Sequence, residues 1–305
     1  MPKMTYGVPY QGSKSRIATL IMNELPAGKR FADLFAGGCA MTHAAMLSGK
    51  YDRVLCNDLY PSGSNLFKNA LNGEYSKPEY LRWISREDFF KEKDTDDFVK
   101  LCYSFGNGGK TYLYGKKLEP LKKGFHYAVV FDDWTYLEQY AKDNNWREGL
   151  IDELKKSVEG IDTVNERRLA VHRRAIDLGI QQPHHRILQN LSRLFRIDDI
   201  RKLATDIDIE FTEFDYRDYQ HEDGDVVYCD PPYAGTEKYD GNTFDHASFW
   251  DWVRSRDYPV YVSEYKAPDD FVAIWEKNRL GIQAFNGKNR VAKPLEKLFV
   301  HNRWR

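Results

Sequence analysis

The sequence contains no long hydrophobic run and few cysteines. None of its apolar stretches approaches the ~20 residues that a membrane-spanning helix requires. The amino-terminal segment MPKMTYGVPYQGSK lacks the apolar centre of a signal peptide, so we expect a cytoplasmic protein. The four cysteines, Cys39, Cys56, Cys102 and Cys229, have neither disulfide-framework nor metal-ligand spacing. We therefore predict buried, reduced thiols and no metal site.

The chain also lacks a large net charge of either sign. Its formal charge is −1 at pH 7, which argues against indiscriminate binding to nucleic acid. The charges are nevertheless unevenly distributed, because residues 166–202 contain nine arginines and lysines against four acids. A second stretch, 103–123, combines five lysines with glycines and tyrosines. These stretches indicate either a surface for an anionic partner or solvated helix faces.

Two separated sections of the chain show the alternation of strand and helix that is typical of a parallel α/β sheet. Strands are predicted over 30–35, 52–58, 206–214, 225–230 and 258–265, with a carboxyl-terminal edge strand over 295–302. Helices are predicted over 39–49, from Pro61 onward and over 246–255. The polar, mainly helical stretch between these two sections does not show this alternation. We predict one α/β domain made of 1–95 and 205–305, interrupted by an inserted domain over 96–204.

DLFAGG, residues 33–38, places two glycines between a predicted strand and a predicted helix. Glycine permits close approach to the backbone, and the helix start offers unpaired N–H groups to a ligand. Asp58 ends the next strand 21 residues after Gly37, where nucleotide-binding α/β folds carry an acid that holds a ribose. A helix cap is the alternative role for Asp58. Cys39 and Ala40 break the dinucleotide glycine pattern, which favours a nucleoside ligand without pyrophosphate, such as S-adenosylmethionine.

Asp230-Pro231-Pro232-Tyr233 comes directly after a short apolar strand. Neither proline can donate to a sheet ladder and both have a fixed φ, so the strand ends in a rigid turn. The Asp230 carboxylate and the Pro231 carbonyl are two acceptors for the hydrogens of an aromatic amino group, which would free its nitrogen lone pair. Tyr233 offers a face for a planar base, worth roughly 1–3 kcal/mol per base. We predict these four residues to be catalytic; a proline turn capped by an aromatic is the alternative.

Three motifs, in this order, resemble those of the α-class, Dam-type adenine-specific DNA methyltransferases of bacteria and phages. They are VPYQGSKSRIATLIMNELP at 8–26, FAGGC at 35–39 and DPPY at 230–233. Cys39 replaces the last glycine of the second motif. The resemblance covers about 1–92 and 206–305, and matches the insert only loosely. It implies a Rossmann-like, S-adenosylmethionine-dependent methyltransferase sheet with an inserted, mainly helical target-recognition domain.

The resemblance also implies roles for individual residues. It places S-adenosyl-L-methionine against Tyr10, Lys14, Phe35, Gly37, Asp58, Phe214, Asp215 and Asp230. The implied reaction is direct methyl transfer to the amino group of an adenine flipped out of duplex DNA, with Tyr233 receiving the base. Tyr239 and Phe244 are further candidates for packing around that base.

The insert would then contact and read the DNA. The candidates for DNA contact are Lys110, Tyr112, Lys116, Arg173, Arg174 and Arg186. Double-stranded DNA is the expected partner, with no membrane and no obligate protein partner. The alternatives are methylation of another amino group, on cytosine N4, an RNA adenine or a protein glutamine, and a catalytically silent DNA-binding relative.

Overall fold

The computed structural model describes residues 5–181, 185–201, 207–233, 244–278 and 295–305. Lys202 of the basic stretch and the candidate Tyr239 lie outside the described residues. The chain forms two compact units: Met1–Gly7, Ser13–Ser64 and Ala204–Arg305 make the first, and Val8–Gly12 and Asn65–Leu203 make the second. The domain boundaries drawn from the sequence, and the assignment of 96–204 to target recognition, stay predictions.

The first unit is built on a seven-stranded sheet. Its strands are β1 (Arg30–Asp33), β2 (Arg53–Asn57), β3 (Asp208–Thr212), β4 (Asp225–Cys229), β5 (Val260–Glu264), β6 (Phe271–Asn278) and β7 (Leu295–His301). They lie in the order β3-β2-β1-β4-β5-β7-β6. The first five run parallel, whereas β7 is antiparallel to both β5 and β6. This topology confirms the predicted Rossmann-like α/β class.

The prediction of an edge position for the carboxyl-terminal strand is wrong. Strand β7 lies between β5 and β6, and the sequence pattern does not predict β6. Leu298, Phe299 and Val300 are all buried in β7, as expected for an internal strand covered on both faces. Strand β6 is mostly exposed or half-buried, so its sequence shows no strong apolar pattern.

The described residues form helices α1 (Ala18–Glu24), α2 (Ala40–Met46), α3 (Ser62–Leu71), α4 (Pro78–Leu81), α5 (Arg86–Glu92), α6 (Asp97–Cys102), α7 (Glu119–Phe131), α8 (Thr135–Asp143), α9 (Leu150–Lys156), α10 (Val164–Asp177), α11 (Arg186–Arg201) and α12 (His246–Ser255). Three of them, α2, α3 and α12, lie where the sequence predicts helices next to the strands. Every residue of α2 is buried, because this helix directly follows the central strand β1. Within the ranges described, no helix is both long and apolar enough to cross a bilayer.

The core of the first unit lies around β1, β4 and β5. Ala32, Val227 and Val262 are fully buried there and pack with aromatic residues from α12. Strands β1 and β4 are also joined by the Arg30 guanidinium, whose Nε and Nη2 donate to the two Asp225 carboxylate oxygens at 2.9 and 2.6 Å. All four cysteines are buried and free of disulfides, as predicted.

The second unit is helical in its described residues, apart from an isolated antiparallel bridge between Ser104 and Tyr112. Aromatic rings form much of its interior; Tyr75, for example, stacks on Phe98 with ring centroids 5.1 Å apart. The named strands all belong to the first unit, so the mainly helical character predicted for the middle of the chain is confirmed for the part that is described.

Candidate active site

Three carboxylates lie at the ends of neighbouring parallel strands of the first unit. Asp33 ends β1, Asp58 comes directly after β2 and Asp230 directly after β4. Because these strands are parallel neighbours, their carboxyl ends meet at one edge of the sheet, where open α/β folds bind ligands. The segments that contain the predicted glycine turn and the predicted proline turn therefore lie at the same edge of the sheet.

The glycine turn is bonded to the acid at the end of β2. Gly37 has a φ of +48°, and its N–H donates to Oδ2 of Asp58 at 2.6 Å. The other oxygen of Asp58 accepts from the Tyr60 N–H at 2.8 Å, so Asp58 also caps its own turn. A carboxylate has about four lone-pair sites, which leaves Asp58 able to accept ribose hydroxyls as well. Burial raises the pKa of Asp58 to about 6, although the two N–H groups oppose this shift.

Cys39 starts α2 in the left-handed conformation, with a φ of 56°. Glycine, the residue that Cys39 replaces in the motif that this turn resembles, would adopt this positive φ without strain. The Cys39 N–H donates to the Ala36 carbonyl at 2.7 Å, which keeps the turn tight. Its sulfur lies 3.5 Å from the sulfur of Cys56, so the larger side chain points into the interior of the unit.

The segment before Lys14 packs against the same turn. The Gly7 N–H donates to Nδ1 of His43 on α2 at 3.0 Å. A Cβ on Gly7 would lie 2.7 Å from the Ala40 nitrogen and 2.8 Å from the Cys39 carbonyl carbon, so only glycine fits there. Sequence analysis missed both Gly7 and His43, because a single glycine near the amino terminus carries no local signal of this contact.

Asn57 is a second residue that the sequence did not single out. It is fully buried, and its amide nitrogen donates to the carbonyls of Leu34 and Phe214 at 3.1 and 3.0 Å. Its oxygen accepts from the Thr212 hydroxyl and the Phe214 N–H at 2.9 and 3.0 Å. Asn57 thereby ties together the segments after β1, β2 and β3.

The residues predicted to contact the cofactor adenine lie after β3. Phe214 stacks on Tyr219, and its backbone is held by Asn57. Asp215 accepts from the Arg217 N–H and from its guanidinium, and this guanidinium lowers the pKa of Asp215. Phe35 belongs to an aromatic cluster and lies edge-on to Phe244, with centroids 5.8 Å apart.

The proline turn holds Asp230 against a buried lysine. The Lys14 ammonium donates to both oxygens of Asp230, at 2.5 and 2.6 Å. It also lies 4.5 Å from the ring centroid of Tyr233 and 3.5 Å from a carboxylate oxygen of Glu296 on β7. The Tyr233 hydroxyl donates to that same glutamate oxygen. Burial raises the pKa of Tyr233 well above its ordinary value, so the phenol stays protonated and remains a donor.

Asp33 supports the site from the end of β1. Its Oδ2 accepts from the N–H and the hydroxyl of Thr42 on α2, at 3.1 and 2.8 Å. Its Oδ1 is buried and has no hydrogen-bond partner among the described residues. Burial is the main reason that the pKa of Asp33 rises to about 7, and the charges of Asp230 and Asp58 add to the rise.

The predicted DNA contacts and Tyr10 all lie in the second unit. Lys110, Lys116, Arg173 and Arg186 have exposed side chains. Arg174 is half-buried and forms an ion pair with Glu153. Tyr112 is buried and donates its hydroxyl to the Ile84 carbonyl at 2.8 Å, which indicates a packing role.

Comparison with known proteins gives a family match and a curated relative. Residues 10–131 and 180–256, more than half of the chain, match the family described as D12 class N6 adenine-specific DNA methyltransferase. The chain is also 25% identical over 264 residues to the retron Ec67 DNA adenine methylase of Escherichia coli. That alignment covers 83% of this chain and 75% of the relative.

Proposed function

Because the chain belongs to the D12 class of N6 adenine-specific DNA methyltransferases, we propose that it methylates an adenine flipped out of duplex DNA, with S-adenosyl-L-methionine as donor. The observation that supports this most directly is the placement of Asp230 and Tyr233 directly after β4, where Lys14 contacts both side chains. A cytosine-N4 or RNA-adenine substrate would use the same chemistry, so the product must be identified at the level of the nucleoside.

The turn residues act on the amino group to be methylated. Asp230 and the Pro231 carbonyl accept the two amino hydrogens, which draws electron density back to the nitrogen and exposes its lone pair. Both Asp230 oxygens accept from Lys14 in this structure, so the lysine shares this carboxylate with the substrate or yields it. Acceptors held in place by the fold need little reorganisation during the reaction. The amino nitrogen gains the methyl group as the sulfonium carbon–sulfur bond breaks, which leaves a neutral thioether, and the methylated nitrogen then loses its surplus proton to solvent.

The cofactor would be held by groups from three loops of the first unit. The Gly37 turn would bring the backbone close, Asp58 would accept from the ribose, and Phe214 and Asp215 would flank the adenine. Phe35 would lie beneath the ligand, and Lys14 would contact its methionine part. S-adenosylmethionine, when bound, supplies an electrophilic methyl group on a sulfonium. The bonded Gly37–Asp58 pair fits a nucleoside, since it offers a tight turn beside an acceptor.

DNA would be held by the exposed basic residues of the second unit. Lys110, Lys116, Arg173 and Arg186 are accessible to phosphates, which carry most of the affinity of proteins for DNA. Arg174 would have to leave Glu153 to take part, and Tyr112 would support the segment from inside. A DNA substrate would place the enzyme in the bacterial cytoplasm.

The test is transfer of a labelled methyl group from S-adenosylmethionine to duplex DNA, with nucleoside analysis of the product. We expect N6-methyladenine with the wild type and roughly a 100- to 1,000-fold loss of kcat with Asp230→Ala, since removing one preorganised group of this kind costs about that much. The matched control is Asp223→Ala, which removes an exposed acid that precedes β4. Label in cytosine, label in no tested DNA, or full activity of Asp230→Ala would refute the proposal.

A further inference from the structure

We propose that Glu296 is a positioning residue of this methyl-transfer site, which orients Tyr233 and shares Lys14 with Asp230. The inference rests on the proposed function. It concerns a residue on β7, far along the chain from both the glycine turn and the proline turn. No sequence motif pointed to it.

Glu296 is fully buried and touches two residues of the site. One carboxylate oxygen accepts from the Tyr233 hydroxyl and lies 3.5 Å from the Lys14 ammonium. That ammonium donates to both oxygens of Asp230. A single positive charge is therefore placed between two carboxylates, in a position where only 4% of the lysine side chain is exposed.

A buried carboxylate at position 296 of β7 requires an explanation. Burying a carboxylate is strongly unfavourable unless a countercharge and hydrogen bonds compensate, and an apolar residue of similar volume often stabilises a protein more. Glu296 is buried in β7 between the half-buried residues Leu295 and Lys297, at a position where an apolar side chain is ordinarily expected. Its contacts with Tyr233 and Lys14 point instead to the reacting groups.

Glu296 provides Lys14 with an alternative partner when the substrate needs Asp230. Lys14 covers the Asp230 oxygens and faces the Tyr233 ring, which are the acceptor and the stacking surface that an adenine requires. Glu296 offers Lys14 a second acceptor next to the Tyr233 hydroxyl. Lys14 can therefore yield Asp230 to the substrate and keep a countercharge.

Glu296 also fixes the orientation of the Tyr233 ring. The hydroxyl of this ring is bonded to Glu296, and its plane stands edge-on to Tyr265 with centroids 4.5 Å apart. A ring held at both its tip and its side presents one defined face to a base. Loss of this restraint should lower the rate more than it lowers the affinity for either substrate.

Three variants separate the two contacts. Glu296→Gln keeps an acceptor for Tyr233 and removes the charge that Lys14 uses, Tyr233→Phe removes only the hydroxyl, and Glu296→Ala removes both contacts. We expect Glu296→Gln to lower kcat about tenfold and Glu296→Ala about 100-fold, because small misplacements at a reacting centre cost this much. The Kd values for S-adenosylmethionine and DNA should stay within about threefold of those of the wild type, since Glu296 is assigned to orientation. A merely structural role would reduce the folded fraction and leave kcat per folded molecule unchanged.

The matched control is Glu276→Gln, which removes an exposed carboxylate paired with Lys297 on β7. Glu296→Gln and Glu296→Ala with kcat values within twofold of the wild type would overturn the proposal. If Glu296→Ala does not fold, the kcat of Glu296→Gln decides the outcome on the same twofold criterion.

A second measurement is independent of catalysis. The Tm loss caused by Lys14→Met should be smaller in the Glu296→Gln background than in the wild-type background, because fewer buried carboxylates then lose their countercharge. Equal Tm losses in both backgrounds would show that Glu296 and Lys14 are not coupled. A wild type that methylates no adenine would refute the proposed function. The double-mutant cycle of Lys14→Met and Glu296→Gln would still report on the coupling between Glu296 and Lys14.

Discussion

The acids at the carboxyl ends of β1, β2 and β4 have different electrostatic surroundings. Asp230 has a lysine on both of its oxygens, whereas among the described residues Asp58 accepts from backbone N–H groups and Asp33 from Thr42. Burial raises the pKa of Asp58 to about 6 and that of Asp33 to about 7. These contacts therefore place a cation beside Asp230 and neutral donors beside Asp58 and Asp33.

Asp33 gives a prediction on stability and pH. Its carboxyl has an ordinary pKa of 3.8 and a folded-state pKa of about 7, so the folded state binds more protons between these values. Stability from this group is present below pH 4 and is lost as the pH rises towards 7. Asp33→Asn should therefore raise the unfolding free energy at pH 8, by roughly 2–4 kcal/mol at about 1.4 kcal/mol per pKa unit.

Urea unfolding of the wild type and Asp33→Asn at pH 4.5 and pH 8 measures this effect. The advantage of the variant should shrink at the lower pH, where the Asp33 carboxyl of the folded wild type is protonated and therefore as neutral as asparagine. A variant that is equally destabilised at both values would mean that the Thr42 bonds, and not the charge, decide the contribution of Asp33.

At the scale of elements, local sequence patterns predicted every strand except β6, together with the turns after β1 and β4. The order of the strands depends on pairing across the sheet. The apolar runs at 30–33 and 225–229 identified β1 and β4, and the glycines and prolines identified the turn after each strand. Asn57 and Glu296 could not be found in this way, because their roles depend on which distant segments lie beside them. The position of β7 between β5 and β6 has the same cause, since register and order are tertiary properties.

Gly7, which packs against the glycine turn, offers a test with a closely matched control. Gly7 has a φ of +66° and no room for a Cβ, whereas Gly49 has a φ of +67° and nothing within 4 Å. Gly49→Ala should cost about 1–2 kcal/mol, the penalty of a left-handed alanine. Gly7→Ala should cost about 2–5 kcal/mol, because overpacking adds its own penalty.

Gly7→Ala should also weaken binding of S-adenosylmethionine, since the new methyl group would push on the backbone of Cys39 and Ala40. Denaturant unfolding and calorimetric titration with the cofactor compare the two variants. Equal losses of stability for Gly7→Ala and Gly49→Ala would show that the turn can move aside.

At the scale of the whole molecule, a net charge of −1 coexists with exposed basic residues in the second unit. The family predicted from three short motifs is confirmed by the match over more than half of the chain. The roles of individual basic residues stay predictions, because a charge pattern alone does not distinguish a DNA contact from a solvated surface.

Salt dependence distinguishes these two cases. Arg173→Glu and Lys116→Glu should each weaken binding to duplex DNA roughly three- to tenfold at about 0.1 M salt, and lower the slope of log K against log salt by about 0.9 per lost phosphate contact. Lys142→Glu on α8 makes the same change of charge on an exposed lysine outside the predicted set. Fluorescence anisotropy over a salt series measures all three. Equal effects of Lys142→Glu would mean that overall charge, and not a defined surface, governs binding.

The pairing of β2 with β3 has a consequence for how the protein can change over evolutionary time. Asn57 and Thr212 are hydrogen-bonded although 155 residues separate them. Bringing such distant points together costs about 4–5 kcal/mol in chain entropy, yet doubling the length of the intervening segment would add only about 0.6 kcal/mol. The chain entropy of closing the sheet therefore changes little when the intervening segment becomes longer or shorter or is exchanged. New sequence preferences could arise there while the carboxylates at the strand ends stay in place.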